Sequence, residues 1–154
     1  MQLSEFLDFE AIKTALPGGN KRSLLQQLAN LAAQRVGIDA SAVLASLTER
    51  EQLGSTGFGQ GVAIPHGKIE GLSRIYCLFA RAAEPVDYKA IDGRPVDLVF
   101  LLLSPPDAGA EHLKALAAVS RVTRHVPTLE KMRGARSRDA LTAVLMGADE
   151  RDAA

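Results

Sequence analysis

The chain holds three histidines, and His66 is set unlike the others. It lies in the stretch GQGVAIPHGK, residues 59–68, between Pro65 and Gly67 and downstream of Gly59 and Gly61. Pro65 fixes its own φ and drives Ile64 into an extended conformation, so the backbone reaches His66 on a rigid lead. Gly67 can take φ values closed to other residues, an expected means of turning the chain away and leaving the imidazole accessible. Upstream, Arg50 offers a planar fork suited to phosphate oxygens. Ser55, Thr56 and the amides of the glycine run are further candidate donors to an anion. A neutral imidazole beside such groups is a nucleophile at physiological pH and can carry a transferred group covalently. Phosphoryl transfer fits well, because it needs mainly in-line positioning and stabilisation of charge on the phosphoryl oxygens.

His112 is the candidate partner. It lies in DAGAEHLKALAAV, in the first turn of an expected helix after an apolar strand. There the helix dipole favours an anion outside the terminus and disfavours a charged imidazole, so a neutral His112 can donate one hydrogen bond. By spacing alone, each residue also has an ordinary structural alternative. Glycines make tight connections, and helix-start histidines are common. Arg50 stands between Glu49 and Glu51, as a surface ion-pair partner would. His125, in RHVPT, reads as a cap for a helix C-terminus.

Other chemistries fit less well. A P-loop places four residues between its glycines and a Ser or Thr after its lysine. Here five residues separate Gly61 from Gly67, and Ile69 follows Lys68. Gly57, Gly59 and Gly61 follow an expected helix with G-x-G-x-G spacing, which is not the dinucleotide fingerprint. The histidines occur singly, with neither HExxH nor a cysteine partner, so no metal is expected. No G-x-S-x-G nucleophile elbow occurs.

The elements that must position these residues can be read from periodicity. Leu24, Leu28 and Leu31, joined by Leu25 and Ala32, mark a helix capped by Asn20 or Ser23 and ended by Gly37. A second helix opens at Asp39 or Ser41, with Val43, Leu44 and Leu47 as its stripe, and runs out near residues 50–53. VAIP (62–65), IYCLFA (75–80) and VDLVFLLL (96–103) are of strand length, the last continuous enough for a central strand. Asp92-Gly93 signals a hairpin turn, lengthened by Pro95. Residues 111–124 predict a helix with Leu113, Leu116, Ala117 and Ser120 on one side. Thr128 is expected to cap a short helix to Met132. Ser137 is expected to cap a final helix, with Gly147 at its C′ position and DERDAA as a frayed tail.

These elements predict an α/β fold: a single domain with a central, partly antiparallel sheet flanked by helices. Lysine plus arginine equals aspartate plus glutamate at 18 each, and aromatics make up 5% of 154 residues, so no nucleic-acid partner is expected. The longest apolar run, LVFLLL, is far short of the ~20 residues of a membrane span, and the acidic N-terminus is not a signal peptide. A cytoplasmic protein without membrane insertion is the expectation. Cys77, the single cysteine, reads as a buried thiol.

REQLGSTGFGQGVAIPHGK (50–68) resembles the phosphorylation-site segment of the IIA domains of the mannitol/fructose class of the bacterial phosphotransferase system. DLVFLLLSPPDAGAEHLKALAAVSR (97–121) resembles that family's second block, and the likeness is strongest to the nitrogen-regulatory branch. The likeness extends over about 3–147, taken as the core of a single domain, and implies a mixed sheet of about five strands with helices on both sides. It implies that His66 accepts a phosphoryl group from a small HPr-like phosphocarrier protein, that His112 lies opposite, and that Arg50 helps hold the phosphate. Ser55, Thr56 and Gly67 become plausible phosphate neighbours. No cofactor is implied, because donor and acceptor are both phosphohistidines. Regulated targets, such as kinases or potassium transport components, are the implied downstream partners. The alternative is a sugar-specific IIA relay passing the group to a IIB domain, and the absence of IIB or IIC segments in the chain favours the regulator.

Overall fold

The structure, a computed structural model, describes the backbone of residues 1–153 and the side chains of residues 1–149. Two 3-10 turns, Leu3–Glu5 and Phe9–Ala11, precede β1 (Lys13–Leu16), α1 (Lys21–Val36) and α2 (Ala40–Gln52). There follow β2 (Gly57–Gly59), β3 (Val62–Ala63), β4 (His66–Lys68), β5 (Tyr76–Val86) and β6 (Val96–Ser104). The chain closes with α3 (Ala110–Thr123), α4 (Val126–Gly134) and α5 (Arg138–Ala153).

The strands form one six-stranded mixed sheet in the order β1-β5-β6-β3-β2, with β4 also paired to β6. β6 is central, antiparallel to β5 and parallel to β3 and β4. Its side chains alternate between two buried faces, as the unbroken apolar run requires. Val99, Leu101 and Leu103 pack with Leu24, Leu28, Val43 and Leu47 beneath α1 and α2. Leu98, Phe100 and Leu102 pack with Val119, Val122, Leu129 and Leu145 of the other helices. Each such buried aliphatic side chain stabilises the fold by about 1.5–3 kcal/mol. Cys77 is fully buried in the second cluster, and burial pushes its thiol pKa up.

Local signals account for the first helices. The Asn20 side chain accepts from Ser23 N, Gly37 ends α1 at φ 70°, and Asp39 caps α2 by accepting from Ser41 N. The expected hairpin between β5 and β6 is present, with Gly93 at φ 74° in its connection.

Several expectations are corrected. The inner face of α3 is His112, Ala115, Ala118, Val119 and Val122, while Leu113 is 67% exposed. Small alanines let this helix lie close to the sheet, and the rotation turns His112 inward. α4 begins before Thr128, with His125 at its N-cap and Pro127 in the first turn, where a missing N–H costs nothing. Thr128 is instead buried with its hydroxyl on His125 Nδ1 at 2.7 Å, and Arg124 is the C-cap of α3. α5 runs through Gly147 to Ala153. A helical glycine costs only about 1 kcal/mol. The Asp149 carboxylate offsets this by accepting from Leu3 N and Ser4 N, at 2.9 and 3.0 Å. β1 carried no recognised sequence signal; its four residues become a strand by pairing with β5.

Candidate functional site

β3 and β4 keep one register against β6, with Val62 opposite Leu98 and His66 opposite Leu102. Pro65 interrupts the ladder without shifting it. β2 pairs only with β3, so β4 is an open edge of the sheet, and α2 packs beside it. Gly67 permits that approach. A Cβ there would lie 3.2 Å from Ser46 Cβ and closer still to the Ser46 hydroxyl. The expected turning role of Gly67 is thereby corrected: it is a strand residue without positive φ, and the nearness of α2 is what excludes a side chain.

The hydrogen-bond partners of His66 assign its tautomer. Nδ1 lies 2.8 Å from the Ile64 carbonyl, an acceptor only, so Nδ1 carries the hydrogen. Nε2 receives the Arg50 Nε–H at 3.2 Å and keeps its lone pair. Arg50 is itself anchored, its Nη1 donating to the Gly54 carbonyl at 2.7 Å. Burial, with the Arg50 charge adding to it, lowers the His66 pKa; the Ile64 hydrogen bond and Glu51 act the other way and are outweighed.

His112 occupies the third position of α3 and lies across from His66, with ring centroids 5.6 Å apart and planes tilted by 52°. Each histidine is only 9% exposed. Its Nδ1 is 2.6 Å from the hydroxyl of Ser104, the last residue of β6. Burial lowers the His112 pKa, and His66 and Lys68 lower it further. Arg50, His66, Gly67 and His112 line a cleft of about 390 Å³ together with Ser46, Glu49, Leu53 and Lys68. Two larger hollows, about 600 and 710 Å³, contain neither histidine.

Ser55, Thr56 and the glycine run are not brought to this cleft. Thr56 is fully buried, its hydroxyl bonded to the Glu51 carboxylate and, at 2.9 Å, to the Tyr88 hydroxyl. Ser55 Oγ accepts from Gly57 N at 3.1 Å. Gln60 and Gly61, at φ 59° and 79°, make the tight turn that joins β2 to β3. Arg133 binds Asp97 and the Gln60 carbonyl there, so the glycines serve a hairpin.

The structure also adds residues that the sequence did not single out. Lys68 lines the cleft, and its position two residues after His66 on one strand was a usable signal. Glu51 holds the loop behind Arg50 by accepting from Thr56 N at 3.0 Å, Tyr88 OH at 2.8 Å and Lys21 Nζ at 3.2 Å. Burial alone would raise the Glu51 carboxyl; the Thr56, Tyr88 and Lys21 contacts hold it below the usual carboxylate range. Ser104, at the end of an apolar strand, had no signal beyond its polarity.

The arrangement presents one nucleophilic nitrogen, a guanidinium, a second imidazole and an ammonium to a single small volume. Among the described residues, no helix is long and apolar enough to cross a membrane.

The chain belongs to the family described as the phosphoenolpyruvate-dependent sugar phosphotransferase system, EIIA 2, whose model matches residues 5–147. It is 47% identical over 145 residues to a nitrogen regulatory protein of Bradyrhizobium diazoefficiens, covering 94% of this chain and 95% of the relative. It is also 35% identical over 144 residues to a PTS system fructose-specific EIIA component of Haloferax volcanii, covering 93% and 94%. Among solved structures, the nitrogen regulatory protein IIA-Ntr from Neisseria meningitidis superposes with a TM-score of 0.86 at 35% identity, covering 93% of this chain and 98% of that one. The resemblance to the nitrogen-regulatory branch is borne out, and so is the mixed α/β fold.

Proposed function

We propose that this chain accepts a phosphoryl group on Nε2 of His66 from the phosphohistidine of an HPr-like carrier, and that its phosphorylation state governs binding to target proteins. The observation that carries this reading is the assigned tautomer: the Ile64 carbonyl holds the proton on Nδ1, leaving the Nε2 lone pair in a cleft beside Arg50 and His112. In the transfer, a bond forms between phosphorus and Nε2 as the bond from phosphorus to the carrier nitrogen breaks. The electron pair of the broken bond returns to the carrier imidazole. His66 retains its Nδ1 proton, so the phosphorylated ring has imidazolium character and remains a good leaving group for the next transfer. Arg50 and His112 offset charge on the phosphoryl oxygens, each in a site largely shielded from water.

The surroundings suit a protein donor. Leu53, 83% exposed, lines the cleft, and the exposed Leu113 follows His112, giving an apolar contact next to the reacting centre. A phosphate adds nearly two negative charges, enough to create or abolish a docking surface there.

Incubation with phosphoenolpyruvate, the first enzyme of the system and the carrier is expected to give an acid-labile, base-stable phosphoprotein. His66→Ala should abolish the label; labelling that persists in this variant rejects the site. The second reading, a sugar-specific relay to a IIB domain, is favoured by the likeness to the fructose-specific component. Pull-downs with unmodified protein and with His66→Ala separate the two, since a relay would capture only a IIB partner.

A further inference from the structure

We propose that Ser104 is a positioning residue that fixes the hydrogen of His112 on Nε2, the ring nitrogen left for the cleft. Ser104 is fully buried, and His112 Nδ1 at 2.6 Å is the only hydrogen-bond partner of its hydroxyl among the described residues. A hydroxyl has one hydrogen to place. If Nδ1 were the donor, that hydrogen would be buried without an acceptor, which folded proteins avoid. The Ser104 hydroxyl therefore donates, Nδ1 accepts, and Nε2 carries the hydrogen.

The backbone makes this contact reproducible. Ser104 is held at the end of β6 opposite Lys68, and its carbonyl accepts from Ile69 N at 2.9 Å. The turn after it brings the third residue of α3 back over the strand end. The two cleft imidazoles consequently have inverse tautomers. His66 is protonated on Nδ1 and presents a lone pair; His112 accepts on Nδ1 and presents an N–H.

Resting on the proposed phosphoryl transfer, this inversion decides the sign of His112's contribution. An N–H facing the phosphoryl oxygens offsets their charge, whereas a lone pair there would repel them. Ser104 itself touches neither the cleft nor a partner surface, so it acts through His112 on the transfer step and leaves the affinity for the carrier unchanged.

Long-range proton–nitrogen spectra of the histidine rings in the unphosphorylated protein test the assignment directly. Wild type is expected to show His112 protonated on Nε2 alone and His66 on Nδ1 alone. In Ser104→Ala, His112 should become a mixture of tautomers, and kcat for phosphoryl acceptance should fall about 3–10-fold with KM for the carrier unchanged. Ser104→Thr, which keeps the hydroxyl, should restore both readouts. Wild-type His112 protonated on Nδ1 overturns the proposal, whatever the variants do. So does an alanine variant in which either the tautomer or kcat stays at the wild-type value. The spectra need no phosphorylation, so a wild-type protein that never labels on His66 rejects the proposed function while the tautomer assignment is judged separately.

Discussion

Arg50 donates its Nε–H to Nε2 of His66 over 3.2 Å, so the nitrogen proposed to attack phosphorus is already held by the group proposed to bind the phosphate. The guanidinium cannot drift away, because its Nη1 is fixed on the Gly54 carbonyl. Attack on phosphorus replaces one contact by another of the same donor, from a lone pair to phosphoryl oxygens, with little rearrangement. A preorganised donor of this kind is worth most in a shielded site.

Arg50→Ala is therefore expected to slow phosphoryl acceptance about 100-fold, the usual cost of removing one such donor. Arg50→Lys should recover only part of the loss, since an ammonium lacks the planar fork that spans the ring nitrogen and Gly54. Initial rates of labelling from phosphoenolpyruvate through the carrier measure both.

Both cleft histidines have pKa values lowered chiefly by burial, which has consequences for acid sensitivity. At pH 6 a free imidazole is roughly three-quarters protonated. His66, its pKa lowered by burial, should be protonated less than that at the same pH, so its rate of phosphoryl acceptance should fall off at lower pH than a free imidazole would dictate. For stability, the unfolded chain binds more protons than the folded one below about pH 6.5, so stability falls as pH drops from there through the folded values. Urea midpoints at pH 7.5 and 5.5 should show this loss, and His66→Ala should reduce it.

Glu51 predicts a structural effect that reaches the site indirectly. Its carboxylate is the shared acceptor for Thr56, Tyr88 and Lys21. Glu51→Ala strands the buried Thr56 and Tyr88 donors and should destabilise the protein by about 1–3 kcal/mol for each in urea unfolding. Tyr88→Phe should cost about 1.5–3 kcal/mol, one hydrogen bond to a charged group. Because the folded carboxyl pKa is depressed, this contribution is complete above about pH 4.3 and is lost as pH falls through the lower folded value.

Gly67→Ala should cost about 1–3 kcal/mol by pushing α2, and Arg50 with it, away from β4. The adverse contact involves Ser46, whose hydroxyl also donates to the Lys68 carbonyl at 3.1 Å. A double-mutant cycle with Ser46→Ala should show a favourable coupling energy, because part of the clash disappears with the hydroxyl. Additive effects would place the strain elsewhere.

Much of this molecule was legible locally. The caps at Asn20, Gly37 and Asp39 are decided by side chains within a few residues of the backbone they serve. The apolar run of β6 has one reading because it must be buried on both faces. The glycine run misled for a matching reason. Positive φ at a glycine is equally good for an anion nest and for a hairpin turn, and only the pairing of β2 with β3 selects the hairpin. Thr56 likewise has an ordinary hydroxyl, and one of its partners, Tyr88, is 32 residues away.

The sequence alone determined where α1, α2, α3 and the long strands β5 and β6 lie, and it placed a histidine in a rigid extended lead, because these depend on short-range sterics and periodicity. Tertiary structure decided which face of α3 turns inward, that α5 continues past Gly147, and that Arg50, His66, Ser104 and His112 meet. Those outcomes depend on hydrogen bonds and packing between residues far apart in the chain. A side chain's local preference, worth about 1 kcal/mol, gives way when a distant carboxylate, alanine face or buried hydroxyl contributes as much or more.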